Sequence, residues 1–516
     1  MLHILVTSAL VVLLAALPSG GQAAPKDGTL VIAYKAETPT MDPHTESSAV
    51  SNMRNRWVMQ GLMHKTPEGK LITLVAKSYK WVDPKTLEFE IKPGIKFSNG
   101  EELDAHAVKY SLDRVHDPKV KSRQIDRLRI IAHKDAVQVV DKYRVRFNLA
   151  FPDAGFVNRM GNIGLIVPPK AYAAKEPIFW SSNQIGSGPY MMKKWERDTI
   201  TEFEANPLFW DSQYPKVKRV VVKIIPEEGA RVAALVKGEV DVVFDVPPVM
   251  FDRINQSGKA RVVSKPGIRI FRVGFFNKHG GLFNDKRVRM AVAHAIDREA
   301  LFKSILKDTA VDASTLLHPF NEGWGPVAKY EYPYKFDLAR AKKLLAEAGH
   351  PSGIEVDFVV ELGQYMKTKE AAEVLNGMLN KAGIRTKFVG LNLRGYRNYF
   401  RKHRDAPQKD FKPYLFMHSF GGGSGDSDLQ LGAMASCKGA WSGWCDKEFD
   451  KALTATSSVL GEEEREKAFA GLARKITEDA VVVPIYRLNA TFGLSNRVDW
   501  DPRVDERVMA WEIGLK

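Results

Sequence analysis

The sequence predicts a mixed α/β protein built from several lobes, and three stretches carry that expectation. Val217 to Ile225 is rich in β-branched residues, a helix pattern occupies Gly229 to Lys237, and a short apolar strand follows at Val240 to Phe244, a β-α-β run with short joints. Helix and strand patterns alternate twice more in the second half, Asp337 to Val360 and Lys367 to Val389. Thr86 to Ile91 alternates as a half-buried strand and is followed, after turns at Pro93-Gly94 and Asn99-Gly100, by a helix pattern.

In chain order, Thr29 to Tyr34 reads as the first strand. Asp104 is placed to cap a helix running to Val115, because Ala107, Val108, Leu112 and Val115 fall on one face. Asp337 caps a helix carrying Ala341, Leu344, Leu345 and Ala348, stopped by Gly349 and followed by the strand Ile354 to Val360. Lys367 to Lys381 repeats the plan, ending at Gly383 before the strand Ile384 to Val389. Helices near Asp446 to Ser457 and Glu462 to Glu478 precede a strand at Val481 to Leu488. No long linker, repeat or low-complexity tract intervenes, which favours lobes joined by chain crossings, a geometry that seats ligands between lobes.

Length suggests two or three compact domains, since 516 residues with 44% hydrophobic content supply ample core. Net charge is +15. The basic residues are dispersed, and runs such as Lys216 to Arg219 and Arg401 to Arg404 accompany no nucleic-acid motif, so a solvated basic surface is expected and no nucleic-acid partner. Ile4 to Leu17 is an apolar run of signal-peptide length, followed by Pro18 to Gly21 and a small-residue cleavage site at Gly21 to Ala23. Cleavage after residue 23 would leave a periplasmic chain. The n-region departs from a standard signal in lacking Lys and Arg. Cys437 and Cys445 enclose a short loop with two glycines; in an oxidising compartment this favours a disulfide over a two-Cys metal site, for which no His stands nearby.

Catalytic patterns are sparse. The G-x-S-x-G, H-E-x-x-H, P-loop and C-x-x-C signatures are missing, and neither a cofactor nor a metal is expected. Gly186 to Tyr190 reads as a tight turn into a strand rather than a phosphate loop, and Ser304-x-x-Lys307 matches a serine-lysine pattern too short to carry weight. The run Gly421 to Asp428, with Gly421, Gly422, Gly423 and Gly425, permits close backbone approach to a ligand. Phe420, Trp441 and Trp444 flank it and could line a pocket.

Taken together, the chain resembles the extracellular solute-binding protein family 5, receptors of dipeptide, oligopeptide, nickel, opine and some oligosaccharide ABC importers. The similar segments are Ala76 to Trp81 with Leu87 to Gly100 and the helix Asp104 to Arg114, Met41 to Pro43, Gly186 to Tyr190 with Asn206 to Trp210, and Phe283 to Asp297. The resemblance implies a bilobal periplasmic-binding-protein fold with an extra subdomain in the first lobe. The expected divisions are a signal peptide at 1–23, a first-lobe core of 24–52, 183–268 and 489–516, the extra subdomain at 53–182, and a second lobe at 269–488. Ligand would be trapped by hinge closure without chemistry, and delivered by a monomer to inner-membrane permease subunits.

Peptide receptors of this family hold the peptide amino group with an Asp three residues after an aromatic; Phe420 matches the aromatic and Gly423 stands at the acid. An Arg that serves the peptide carboxylate, two residues before Tyr365, aligns with Gly363. The loss of both anchors points to an opine-like or sugar-containing ligand, while Asp426 and Lys367 as substitutes would restore a peptide receptor. The resulting ligand-binding set is Thr38, Thr40, Tyr365, Lys367, Phe420, Gly421, Gly422, Gly423, Asp426 and Trp441. An extracytoplasmic hydrolase and a periplasmic chaperone are the readings from other classes.

Overall fold

The computed structural model describes residues 28–46, 49–133, 135–278, 280–306, 309–404, 407, 412–421, 425–503 and 505–516. The expected signal segment, Gly422, Gly423 and Lys307 lie outside the described residues. In chain order the strands are β1 (Thr29–Tyr34), β2 (Met63–Lys65), β3 (Leu71–Thr73), β4 (Ala76–Asp83), β5 (Thr86–Ile91), β6 (Val137–Asp141) and β7 (Arg144–Asn148). There follow β8 (Tyr190–Glu196), β9 (Ile200–Ala205), β10 (Arg219–Ile224), β11 (Val242–Phe244), β12 (Ala260–Phe276) and β13 (Ala310–Asp312). The last are β14 (Ile354–Leu362), β15 (Ile384–Asn392), β16 (Tyr414–Phe420), β17 (Val482–Ser495), β18 (Val498–Asp499) and β19 (Gly514–Leu515).

One large sheet runs β15-β14-β16-β12-β17-β11-β1-β10-β9-β8, with β13 on β17. β1 lies between β10 and β11, parallel to both, so it is buried on two faces and reads as a continuous apolar run. Leu30 and Ile32 enter one core, Val31 and Ala33 another. At the other end β14 is parallel to β15 and β16. The β-α-β run forms as expected: Glu227 caps the helix Glu228–Lys237, and Gly238 closes it at φ 86°.

β12 and β17, the two longest strands, sit side by side in the middle of the large sheet. They pair antiparallel from Ala260 opposite Ser495 to Gly274 opposite Val482, and the register breaks between Pro266 and Arg269. β17 continues seven residues beyond the Leu488 at which its apolar pattern weakens, because β11 and β12 flank it on the first-lobe side.

The four-stranded sheet β4-β5-β7-β6 has a core of its own, with Leu87, Phe89, Val145 and Phe147 packed under the helix Ala105–His116. That helix starts where Asp104 Oδ1 accepts from His106 N (2.9 Å) and Ala107 N (3.1 Å). The Gly186 to Tyr190 segment is a turn into β8, and Gly188 is required there: a Cβ would lie 2.6 Å from the Val58 carbonyl carbon. Gly188 N donates to Val58 O at 2.8 Å. Ser304 donates its hydroxyl to Ala300 O (2.7 Å) within its own helix. Cys437 and Cys445 are joined in a disulfide. No helix of the described residues is long and apolar enough to cross a membrane.

Candidate functional site

The register break in β12 falls immediately before Arg269. Its Nε donates to both oxygens of Glu506 (3.1 and 2.9 Å), and Nη1 donates to the Tyr365 hydroxyl (2.9 Å). The guanidinium also lies 4.9 Å from the centre of the Tyr365 ring, which packs edge-on against Phe271. Burial works against the charge, but Glu506 and Tyr365 outweigh it, so Arg269 is held above its ordinary pKa and stays a cation. The side chain nevertheless keeps 28% of its surface exposed. A polar guanidinium with remaining donors, an aromatic face and a neighbouring carboxylate can receive a carboxylate-bearing solute.

Gly421 belongs to this cluster. A Cβ on it would lie 3.2 Å from Arg269 Cγ, and its carbonyl accepts from His318 Nε2 (2.9 Å). The absence of a side chain therefore lets the end of β16 close against Arg269. Phe420 pairs with Ile270, and its ring joins the apolar cluster of Ile270, Leu316 and Leu431.

The other expected residues separate into three places. Thr38 donates to Thr40 O (2.9 Å) and meets Ser51 Oγ (2.5 Å), while Thr40 Oγ1 accepts from Asp42 N (3.1 Å); both thus brace the segment after β1. Lys367 begins the helix Thr368–Lys381 in a left-handed conformation (φ 58°), with Nζ 3.8 Å from Glu370. Trp441 packs at a tilt against His418, ring centres 4.2 Å apart, near Tyr396 and Phe400, and its carbonyl accepts from Arg272 Nη2 (2.7 Å). Arg272 and Arg269 sit three residues apart on one strand, so Trp441 and Tyr365 are served by different guanidinium groups.

Asp426 lies where the segment after β16 meets the short helix Phe156–Met160. Oδ1 accepts from Asp428 N (3.0 Å) and Leu429 N (3.3 Å), capping the helix Ser427–Ala435, and Oδ2 accepts from Arg159 Nη1 (3.0 Å). Arg159, on the short helix Phe156–Met160, holds Asp153 with its other terminal nitrogen. Burial opposes its charge, and Asp426 and Asp153 more than restore it. Further bonds cross here, among them Asn158 Nδ2 to Gly425 O (3.1 Å), Ala154 N to Ser457 O (2.8 Å) and Ser458 Oγ to Pro152 O (3.4 Å). Gly425, at φ 65°, leaves no room for a Cβ between Phe320 O and Lys65 Nζ. Burial pushes Lys65 down to about 8, with Glu322 and Asp426 opposing. Among the described residues no group of three or more His, Cys, Asp or Glu gathers as a metal would need.

Arg269 and Glu506 were missed in the sequence. The signal was present: Arg269 is a charge inside a strand whose next residues, Ile270 to Phe276, are largely apolar. Glu506 becomes meaningful only when the chain returns to the first lobe.

The profile described as "Bacterial extracellular solute-binding proteins, family 5 Middle" matches residues 70–442. The glutathione-binding protein GsiB of Pectobacterium atrosepticum is 25% identical over 436 residues, covering 83% of this chain and 80% of its own. The solved structure of HbpA2 from Haemophilus parasuis superposes with a TM-score of 0.82 at 21% identity, covering 95% of this chain and 100% of that one. AgaA from A. tumefacien R10, solved with agropinic acid, superposes at 0.73 with 20% identity, covering 95% and 99%. With a bilobal α/β architecture and a match over most of its length, the chain is the substrate-binding protein of an ABC importer and belongs to the bacterial extracellular solute-binding proteins, family 5.

Proposed function

We propose that this protein captures a carboxylate-bearing amino-acid derivative, of the glutathione or opine kind, between its lobes and hands it to a membrane permease. The observation that carries this reading is Arg269, a partly exposed cation at the lobe junction, flanked by Tyr365 and Glu506 and approached by Gly421. Asp426 is committed to Arg159 and to a helix terminus, which favours a ligand held through its carboxylate over a linear peptide held by its amine. The glutathione-binding relative and the structure with agropinic acid are consistent with that class. Oligosaccharides, offering no carboxylate, fit Arg269 less well.

The reading includes a division of the chain into 24–52, 183–268 and 489–516 as first-lobe core, 53–182 as its extra subdomain and 269–488 as second lobe. The register break between Pro266 and Arg269 supports a hinge there. It also includes export with removal of residues 1–23, a periplasmic monomer and no chemistry on the ligand.

Isothermal titration with glutathione, agropinic acid, a linear tripeptide and a neutral oligosaccharide tests the ligand class. Glutathione or agropinic acid binds, and Arg269→Gln weakens it by about 10 to 100-fold, the loss of a charge-assisted hydrogen bond. Binding of the oligosaccharide alone, or an acid affinity unmoved by Arg269→Gln, sinks the proposal.

A further inference from the structure

A cavity lies within the first lobe, away from Arg269. Its volume is about 280 Å³, and aromatic side chains Phe209, Trp210, Tyr214 and Trp511 contribute to its wall. Arg56 opens onto the same space. This guanidinium is only 2% exposed, and its Nε and Nη2 find no acceptor among the described residues. The surrounding charge makes that arrangement costly: Arg503 and Arg507 act on Arg56 with the same sign, only Asp505 opposes them, and burial with these two cations pushes Arg56 down to about 9. His64, also in the wall, is driven well below its ordinary pKa by burial and then by the same three arginines. The guanidinium of Arg56 is therefore short of an acceptor, although the carboxylates of Asp211 and Glu512 stand in the same wall.

A second orphan sits in the wall. Glu512 gives Oε1 to Arg503 Nη1 (2.9 Å), which leaves Oε2 buried without a donor among the described residues. Gln60, in the same wall, accepts from Trp210 Nε1 at its amide oxygen (2.9 Å). A buried cation lacking acceptors, a carboxylate oxygen lacking a donor and flat apolar walls are complementary to one kind of molecule.

We propose that this cavity is a second binding site, for a small organic anion with an aromatic or other flat apolar body, its carboxylate meeting Arg56 and a donor group meeting Glu512. The site is independent of the interlobe cleft: its residues come from the helix Ala49–Val58, from β2 and β3, from the segment after β9 and from the last residues of the chain. Occupancy satisfies Arg56 without moving the lobes relative to Arg269.

The probe is 4-fluorophenylacetate, with 4-fluorophenylacetamide as its uncharged counterpart, each titrated into the purified protein and followed by fluorine NMR. The acid binds at least tenfold more tightly than the amide, Arg56→Met removes that difference, and Arg269→Gln leaves it in place. Equal binding of acid and amide to the unaltered protein overturns the proposal, whether or not Arg56→Met folds. So does absence of acid binding at millimolar concentration, and so does binding lost in Arg269→Gln but kept in Arg56→Met, which assigns the probe to the cleft.

Discussion

Asp426 does two jobs with one carboxylate, capping the helix Ser427–Ala435 and neutralising Arg159 on the helix Phe156–Met160. Replacing it with Asn removes the charge while keeping the shape, which leaves Arg159 buried with Asp153 alone. Asp426→Asn is expected to lose about 3 kcal/mol, the range for breaking one partner out of a buried pair, read as a lowered Tm and a larger radius of gyration in solution scattering. A Tm and radius equal to the wild type would show that the pair does not hold the lobes together. Residue identity told part of this. The acid stood out in the sequence beside its glycines, but Arg159 is 267 positions away, and no periodicity or spacing connects residues at that distance. Arg269 was harder still, because a charge in an apolar strand has meaning only once Glu506 and Tyr365 are known to face it.

At the scale of elements the sequence was more informative, because caps and stops are local. Asp104 and Asp337 accept backbone N–H groups at the helix starts they are expected to cap, Asp446 does the same at the start of Lys447–Ser457, and Gly349 and Gly383 sit in left-handed conformations just past the helix ends. The strand β17 was the main shortfall: its stretch beyond Leu488 is held by β11 and β12, partners that are invisible in a window of sequence. β12 itself, the other strand through the junction, has no simple alternation, since both its faces are covered in the second lobe. The turn before β8 offers a direct test. A Cβ at Gly188 meets backbone of Trp57 and Val58 rather than a movable side chain. Gly188→Ala should therefore destabilise by about 2 to 3 kcal/mol, seen in chemical unfolding, whereas Ala at Gly471, where nothing lies within 4 Å, should leave stability unchanged or raised. Equal unfolding midpoints for the two variants would contradict the close approach.

The whole molecule carries buried histidines in both lobes. Burial pushes His44 and His418 down to about 4 and His318 down to about 3. Between these values and the ordinary 6.5 the unfolded chain binds protons that the folded chain refuses, so stability is complete above pH 6.5 and falls as pH drops toward 4. Each ring at about 4 contributes up to about 3 kcal/mol over that window. Urea unfolding at pH 7.5 and pH 5 is expected to give a clearly lower midpoint at pH 5, with His418→Gln reducing the difference; identical midpoints would mean the rings are protonated in the fold. The path of the chain has a different consequence, for the order in which the molecule can assemble during synthesis. Leu30, Trp57 and Tyr190 share a core with Phe492, Trp500, Val508 and Ile513, and Trp57 Nε1 donates to Val508 O at 2.8 Å. The core that begins at Leu30 is thus left open until residues 492–513 arrive, while the cluster of Leu87, Phe89, Val145 and Phe147 has all its buried members by Ile166. A chain threaded this way can close the core of its four-stranded sheet early, and the cores that draw on β17 only after Leu488 and Phe492 have been made.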